Sequence, residues 1–149
     1  MLRLLLLVIH IAAAAIAFGA PLGIPRLLKA SAAAGMLPFQ IAVNDVAKRA
    51  RLARMSGITT LFSGVIMMLL NGGFAVVSKN YHAAFGLMWL LLGISFFVTT
   101  PAVKKVKALA AASTLDQAAA VACANKIGMA IGIGHLLWTL ILVLMFQRF

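Results

Sequence analysis

The chain reads as long apolar runs broken by shorter basic stretches, and few polar positions fall inside the runs. Four windows stand out, at 2–24, 56–77, 83–99 and 127–146. Crossing a bilayer takes about 20 mostly apolar residues, because roughly 30 Å of hydrocarbon is covered at about 1.5 Å of helical rise per residue. None of the windows carries Asp, Glu, Lys or Arg apart from Arg3, which lies near enough to the end of its run to snorkel to an interface. The runs are continuous and not alternating, which predicts helices and excludes the short two-sided strands of a membrane barrel. The fold class expected is all-α: a single domain over 1–149, an integral membrane four-helix bundle of two antiparallel hairpins, with helical extensions on the cytoplasmic side.

Local signals set the expected helices at about 2–24, 40–77, 82–111 and 115–146. Pro21, Gly23 and Pro25 kink or break the first, and "RLLKASAAA" continues as a short helical piece ending at "GMLP". The stretch "NDVAKRARLARM" places Asp45 and Arg49 four apart, a stabilising helical spacing. Asn71, Gly72 and Gly73 mark either a local unwinding or a helix end, and "VSKNYH" a tight turn. Pro101 removes a backbone donor and crowds the preceding turn, so it is expected to bend the third helix or end its first part. Thr114 and Gln117 have capping-box spacing, with Asp116 in the first turn of the fourth helix.

Composition agrees with this picture: hydrophobic residues make up 64% of the chain and charged ones 10%, against roughly 45–50% and 25% in soluble domains. The net charge of +11 is unevenly placed. Arg26, Lys29, Lys48, Arg49, Arg51 and Arg54 fall between the first two spans, and Lys104, Lys105, Lys107 and Lys126 between the last two. Only Arg3, Lys79 and Arg148 fall on the other side. Cations resist translocation, so both long connections are expected in the cytoplasm and both termini outside, with the ten clustered cations meeting lipid headgroups. Nucleic acid is not an expected partner, since no stretch is polar enough to fold into a soluble basic face. Arg3, the apolar run and the small residues around Ala17 to Ala20 imitate a signal peptide, but Pro21 would directly follow the cleavage point. The segment is therefore expected to be the first transmembrane helix.

In lipid, close approach of small residues replaces hydrophobic burial as the force between helices. Ser56, Thr60 and Gly64 form one four-residue stripe and Ala124, Gly128 and Gly132 another, both expected as packing seams. Three histidines are the candidates for chemistry. His82, beside Tyr81, opens the third span as an interface anchor. His10 and His135 lie at similar depths, roughly 12 and 16 Å from the outer ends of their helices. Facing one cavity they would ligate a haem b iron or the metal of another tetrapyrrole; facing neighbouring helices they would bond to Thr139, Asn71, Thr59, Ser63 or a backbone carbonyl. Methionines in the spans read as adaptable packing, and the single Cys123 forms no internal disulfide. No other metal site is expected. The only acids, Asp45 and Asp116, lie outside the spans, and there is no phosphate loop or catalytic triad, so catalytic residues are not expected.

"VIHIAAAAIAFGAPLGIPRLL" followed by "YHAAFGLMWLLLGIS" resembles the small four-helix bacterial membrane families that include the HemJ-type protoporphyrinogen oxidases and the CopD-like proteins, over most of the chain. The resemblance implies a bacterial inner membrane, and haem b on the histidine corresponding to His10. Ala84 stands where those oxidases carry a lysine expected for activity, a departure that puts the oxidase reaction in doubt even where the fold is shared. Three functions follow as expectations: a non-catalytic accessory or structural subunit of a larger energy-converting or photosynthetic membrane complex, with other membrane subunits and lipids as partners; a haem-binding redox protein; or a small transporter.

Overall fold

The computed structural model of the chain describes residues 1–146. Arg148, counted above among the cations of the sparsely charged side, lies outside the described residues. Six α-helices follow one another: α1 Leu2–Gly19, α2 Ile24–Ala34, α3 Met36–Leu70, α4 Lys79–Ile94, α5 Thr100–Ala111 and α6 Gln117–Phe146, with a π-helical turn, Ser95–Thr99, joining α4 to α5. There is no strand among the described residues. Four helical stretches, Leu2–Ala34, Met36–Leu70, Lys79–Ala111 and Gln117–Phe146, are long and apolar enough to cross a membrane. The 35 residues of α3 extend about 52 Å, well beyond a hydrocarbon layer of roughly 30 Å.

The breaks between helices have local causes, and several differ from the expected positions. The first helix stops at Gly19 and not at 24, and Gly23, at φ 78°, turns the chain before Ile24 and Pro25 restart it. Proline suits that first helical turn because its missing N–H would have had no partner there. Gly35, at φ 111° and ψ −177°, holds a conformation closed to residues with a side chain, and α3 restarts immediately at Met36, four residues before the expected 40. At the other end α3 stops at Leu70 and not 77, because Gly72 and Gly73 both have positive φ. The third stretch begins at Lys79 in place of 82.

The first part of the third stretch, α4, ends at Ile94, and Pro101 stands in the first turn of α5. The strain is absorbed upstream as the wide turn at Ser95–Thr99, closed by the Thr100 N–H reaching back five residues to the Ser95 carbonyl. The expected Thr114–Gln117 capping box is not formed. Asp116 caps α6 itself, its Oδ1 accepting from the Ala119 N–H at 2.9 Å, so the helix starts at Gln117 and not 115. Gln117 is thereby released to donate its side-chain amide to the Ala32 carbonyl of α2 at 3.1 Å.

The long helices divide into a basic half and an apolar half, and the halves pack differently. In the basic half α2, α3, α5 and α6 converge on one core that includes Leu28, Phe39, Val46, Val106, Ala124 and Ile127. In the apolar half α1 packs along α3 and α4 along α6, with slighter contact between α3 and α4. There the shared core is smaller and centres on Ala17, Leu61, Met88, Leu92 and Trp138. The outward faces of the apolar half stay exposed and apolar, with Leu4, Leu136 and Phe97 at 66%, 73% and 83%. Truncation should separate the two kinds of site. Phe39→Ala, in the basic core, is expected to cost about 3–5 kcal/mol, and Phe97→Ala within about 0.5 kcal/mol, by denaturant unfolding in detergent followed by circular dichroism.

Candidate functional site

His10 lies on the face of α1 that meets α3, and its Nδ1 is 3.0 Å from Ser63 Oγ. The Ser63 hydroxyl also lies 2.7 Å from the Thr59 carbonyl and 3.1 Å from the Thr60 carbonyl, and with its one proton on either of these it accepts from the Nδ1–H tautomer of His10. Gly64 makes this approach possible: a Cβ there would lie 3.1 Å from His10 Cε1. Ser56 and Thr60 are buried on the same stripe at 8% and 4%, and the Thr60 hydroxyl is turned back onto the Ser56 carbonyl at 2.9 Å. Of the four side chains open to the histidines in the sequence, only Ser63 takes one.

His135 is held differently. Its Nε2–H donates to the Phe18 carbonyl at 3.0 Å, and its ring lies 4.4 Å from that of Phe18. The carbonyl lies in the last turn of α1, where the helix can no longer use it. The second small-residue stripe faces α2 for part of its length. Ala124 is fully buried, and a Cβ at Gly128 would stand 3.2 Å from the Pro25 ring. Gly132, expected in the same seam, faces open space.

The two histidines are not brought together. The ring of His135 meets α1 at Phe18, eight residues beyond His10 and so about 12 Å further along the helix axis. A cleft of about 80 Å³ lies beside His135, and His10 is not among the residues that line it. Pockets for small molecules start at roughly 300 Å³. The residues present therefore do not fit a haem or other tetrapyrrole held between His10 and His135. His82 closes the 71–78 connection, its Nε2–H donating to the Phe74 carbonyl at 2.9 Å. Among the described residues no three of His, Cys, Asp and Glu converge as a metal site, and Cys123 is buried in the basic core.

The cleft itself was not legible in the chain. It lies where α1, the start of α2, α3, the end of α4, the π turn and α6 meet, with Ile24, Leu92, Ala130 and Trp138 in its walls and Arg54, Ser95, Thr99 and His135 as its polar members. The Arg54 Nη1–H donates to Thr100 Oγ1 at 2.6 Å, and that hydroxyl donates in turn to the Ser95 carbonyl at 2.8 Å. The guanidinium also stands 5.3 Å from the centre of the Phe96 ring. Arg26, Lys29, Lys48, Arg49, Arg51, Lys104, Lys105, Lys107 and Lys126 are all exposed, whereas Arg54 is half-buried. The one sequence signal was its place as the last cation before the apolar run of α3.

The His10–Ser63 clasp and the Pro25–Gly128 contact can be measured directly. His10→Ala and Ser63→Ala should each destabilise, with a coupling of about 0.6–1.7 kcal/mol in a double-mutant cycle. Gly128→Ala is expected to cost about 1–3 kcal/mol against the rigid Pro25 ring, while Gly132→Ala, with free space, should gain about 0.5–1 kcal/mol. Thermal unfolding in one detergent reads all of these. Comparison of the chain with protein-family models, with curated proteins and with solved structures found no match to any of them.

Proposed function

We propose that the chain is a non-catalytic membrane protein crossing the bilayer four times, with its basic half in the cytoplasm and both termini outside, and that it serves as an accessory subunit of a larger membrane assembly. The observation that carries the non-catalytic part is the use made of the polar groups in the apolar half. His10, His135 and Ser63 each bond to a neighbouring helix, and Thr59, Thr60 and Thr139 bond to carbonyls of their own helix. Every buried side-chain polar atom among the described residues has a partner. No carboxylate lies in the four apolar windows to relay a proton.

The orientation rests on the ten cations of α2, α3, α5 and α6 lying at one end of the molecule. Assembly with other subunits is supported by Gly132, which leaves a shallow, unfilled place between exposed Met129 and Leu136 on α6 where another helix could come close. Two measurements test the reading. In Cys123→Ala protein, a cysteine at exposed Ala112 should react with a membrane-impermeant maleimide only in inside-out vesicles, and one at exposed Val76 only in right-side-out vesicles. Extracted in mild detergent at native expression, the chain should migrate well above its own 15.7 kDa plus micelle, and Gly132→Leu should shift it toward the lone species without lowering its unfolding temperature. A wild-type chain that always migrates alone would overturn the subunit reading.

A further inference from the structure

Arg54 has no counter-charge of its own. The chain holds two acids against thirteen Lys and Arg, and the structure uses both: Asp45 pairs with Arg49 at 2.8 Å, and Asp116 caps α6. Among the described residues no carboxylate pairs with Arg54, although it is the half-buried cation and borders an apolar cleft. Leaving a guanidinium partly out of water without an anion is costly, and a planar fork of N–H groups matches the oxygens of a phosphate. One N–H is spent on Thr100, whose hydroxyl is itself locked to the Ser95 carbonyl in the π turn, so the fork is held in a fixed orientation.

The depth is also informative. Arg54 is the last cation on α3 before the uncharged run to Leu70, and Thr100 stands one turn before Lys104 on the helix opposite. That is the level at which headgroups would lie if the chain crosses a membrane as proposed above. Behind it the cleft, about 80 Å³, has the room of two or three water molecules and walls of Ala17, Ile24, Leu92, Ile131 and Trp138. A free inorganic anion would gain nothing from such walls, whereas the upper methylenes of an acyl chain would.

We infer that Arg54, Thr100 and the adjoining cleft form a binding site for one anionic phospholipid, its phosphate on the guanidinium and the start of an acyl chain against the apolar wall. The inference rests on the membrane reading and adds to it a discrete, selective site in place of general attraction between basic residues and anionic lipid. Ser95 and Thr99 also border the cleft.

The test is native mass spectrometry of the intact chain released from nanodiscs, made either of phosphatidylglycerol mixed with phosphatidylcholine or of phosphatidylcholine alone. Wild type should retain one phosphatidylglycerol and no phosphatidylcholine. Arg54→Gln should reduce retention about tenfold or more, the loss of one charge-assisted contact, while Arg51→Gln, removing an exposed cation nearby, should change it less than about twofold. Arg54→Lys keeps the charge without the fork and is expected to fall between them, which keeps the test open if the glutamine variant does not fold. Equal retention of the two lipids would overturn the site, as would equal loss in the Arg51 and Arg54 variants. Displacement of the lipid by millimolar inorganic phosphate would also overturn it in favour of a free-anion site. Alkaline carbonate extraction of vesicles of the same lipid compositions separates the two readings: protein that stays in the membrane without lipid selectivity removes only the site, and protein released into solution removes the membrane reading with it.

Discussion

Each long helix changes character along its length, and a single packing force cannot hold both parts. The basic half buries Phe39, Leu28 and Ile127 completely beneath an exposed shell of cations, as a protein in water does. The apolar half offers little contrast between its inner and outer faces: Leu4 and Leu136 point outward as freely as Leu92 points inward. Where the surroundings are as apolar as the side chains, burial gives no preference for one neighbour over another, and association depends on close approach and on hydrogen bonds. His10 against Ser63 over Gly64, and His135 against the end of α1, are of that kind. A group expensive to leave unpaired in an apolar layer is specific for that reason, since only one neighbouring position satisfies it.

The same requirement governs the helix ends. The last carbonyls of a helix lack partners within it, and besides His135 on Phe18 three long side chains among the described residues supply one from elsewhere in the chain. Arg3 donates to the Leu70 carbonyl at the end of α3, at 2.7 Å. Gln40 donates to Ala110 near the end of α5 at 2.9 Å, and Gln117 to Ala32 near the end of α2. Two of these bonds pin the far tip of the basic half and one pins the opposite end of α3. They join segments 67 to 85 residues apart, so they fix which helices are neighbours and in what register.

Function follows from how completely these groups are used. His10 and His135 each bond a neighbouring helix through one ring nitrogen, and the sequence could not show this because a clasp and a ligand need the same residue at the same depth. The distinction depends on axial register: His10 lies level with Ser63, whereas the cleft and His135 meet α1 about two turns further on, at Ala17 and Phe18. Arg54 shows the reverse case. In the chain it is one of ten similar cations; in the structure it alone is half-buried, oriented by Thr100 and short of an anion.

The sequence by itself determined that the chain is helical and that four stretches are long and apolar enough to span a membrane, because length, hydropathy and charge placement are sums over local residues. It also determined that 21–25, 71–73 and 101 would be points of disturbance, since proline and glycine act on their own backbone. Only the tertiary structure decided what each disturbance became: an interrupted first helix, an early end at Leu70, and at Pro101 a π turn displaced upstream. It also decided that Asp116 caps α6 without Thr114, and that Gly128 packs on Pro25 while Gly132, one turn further, packs on nothing. The packing outcomes depend on which helices meet and at what rotation, set by a few long-range hydrogen bonds and close contacts, whereas the Asp116 cap and the end at Leu70 are local choices among alternatives the sequence left open.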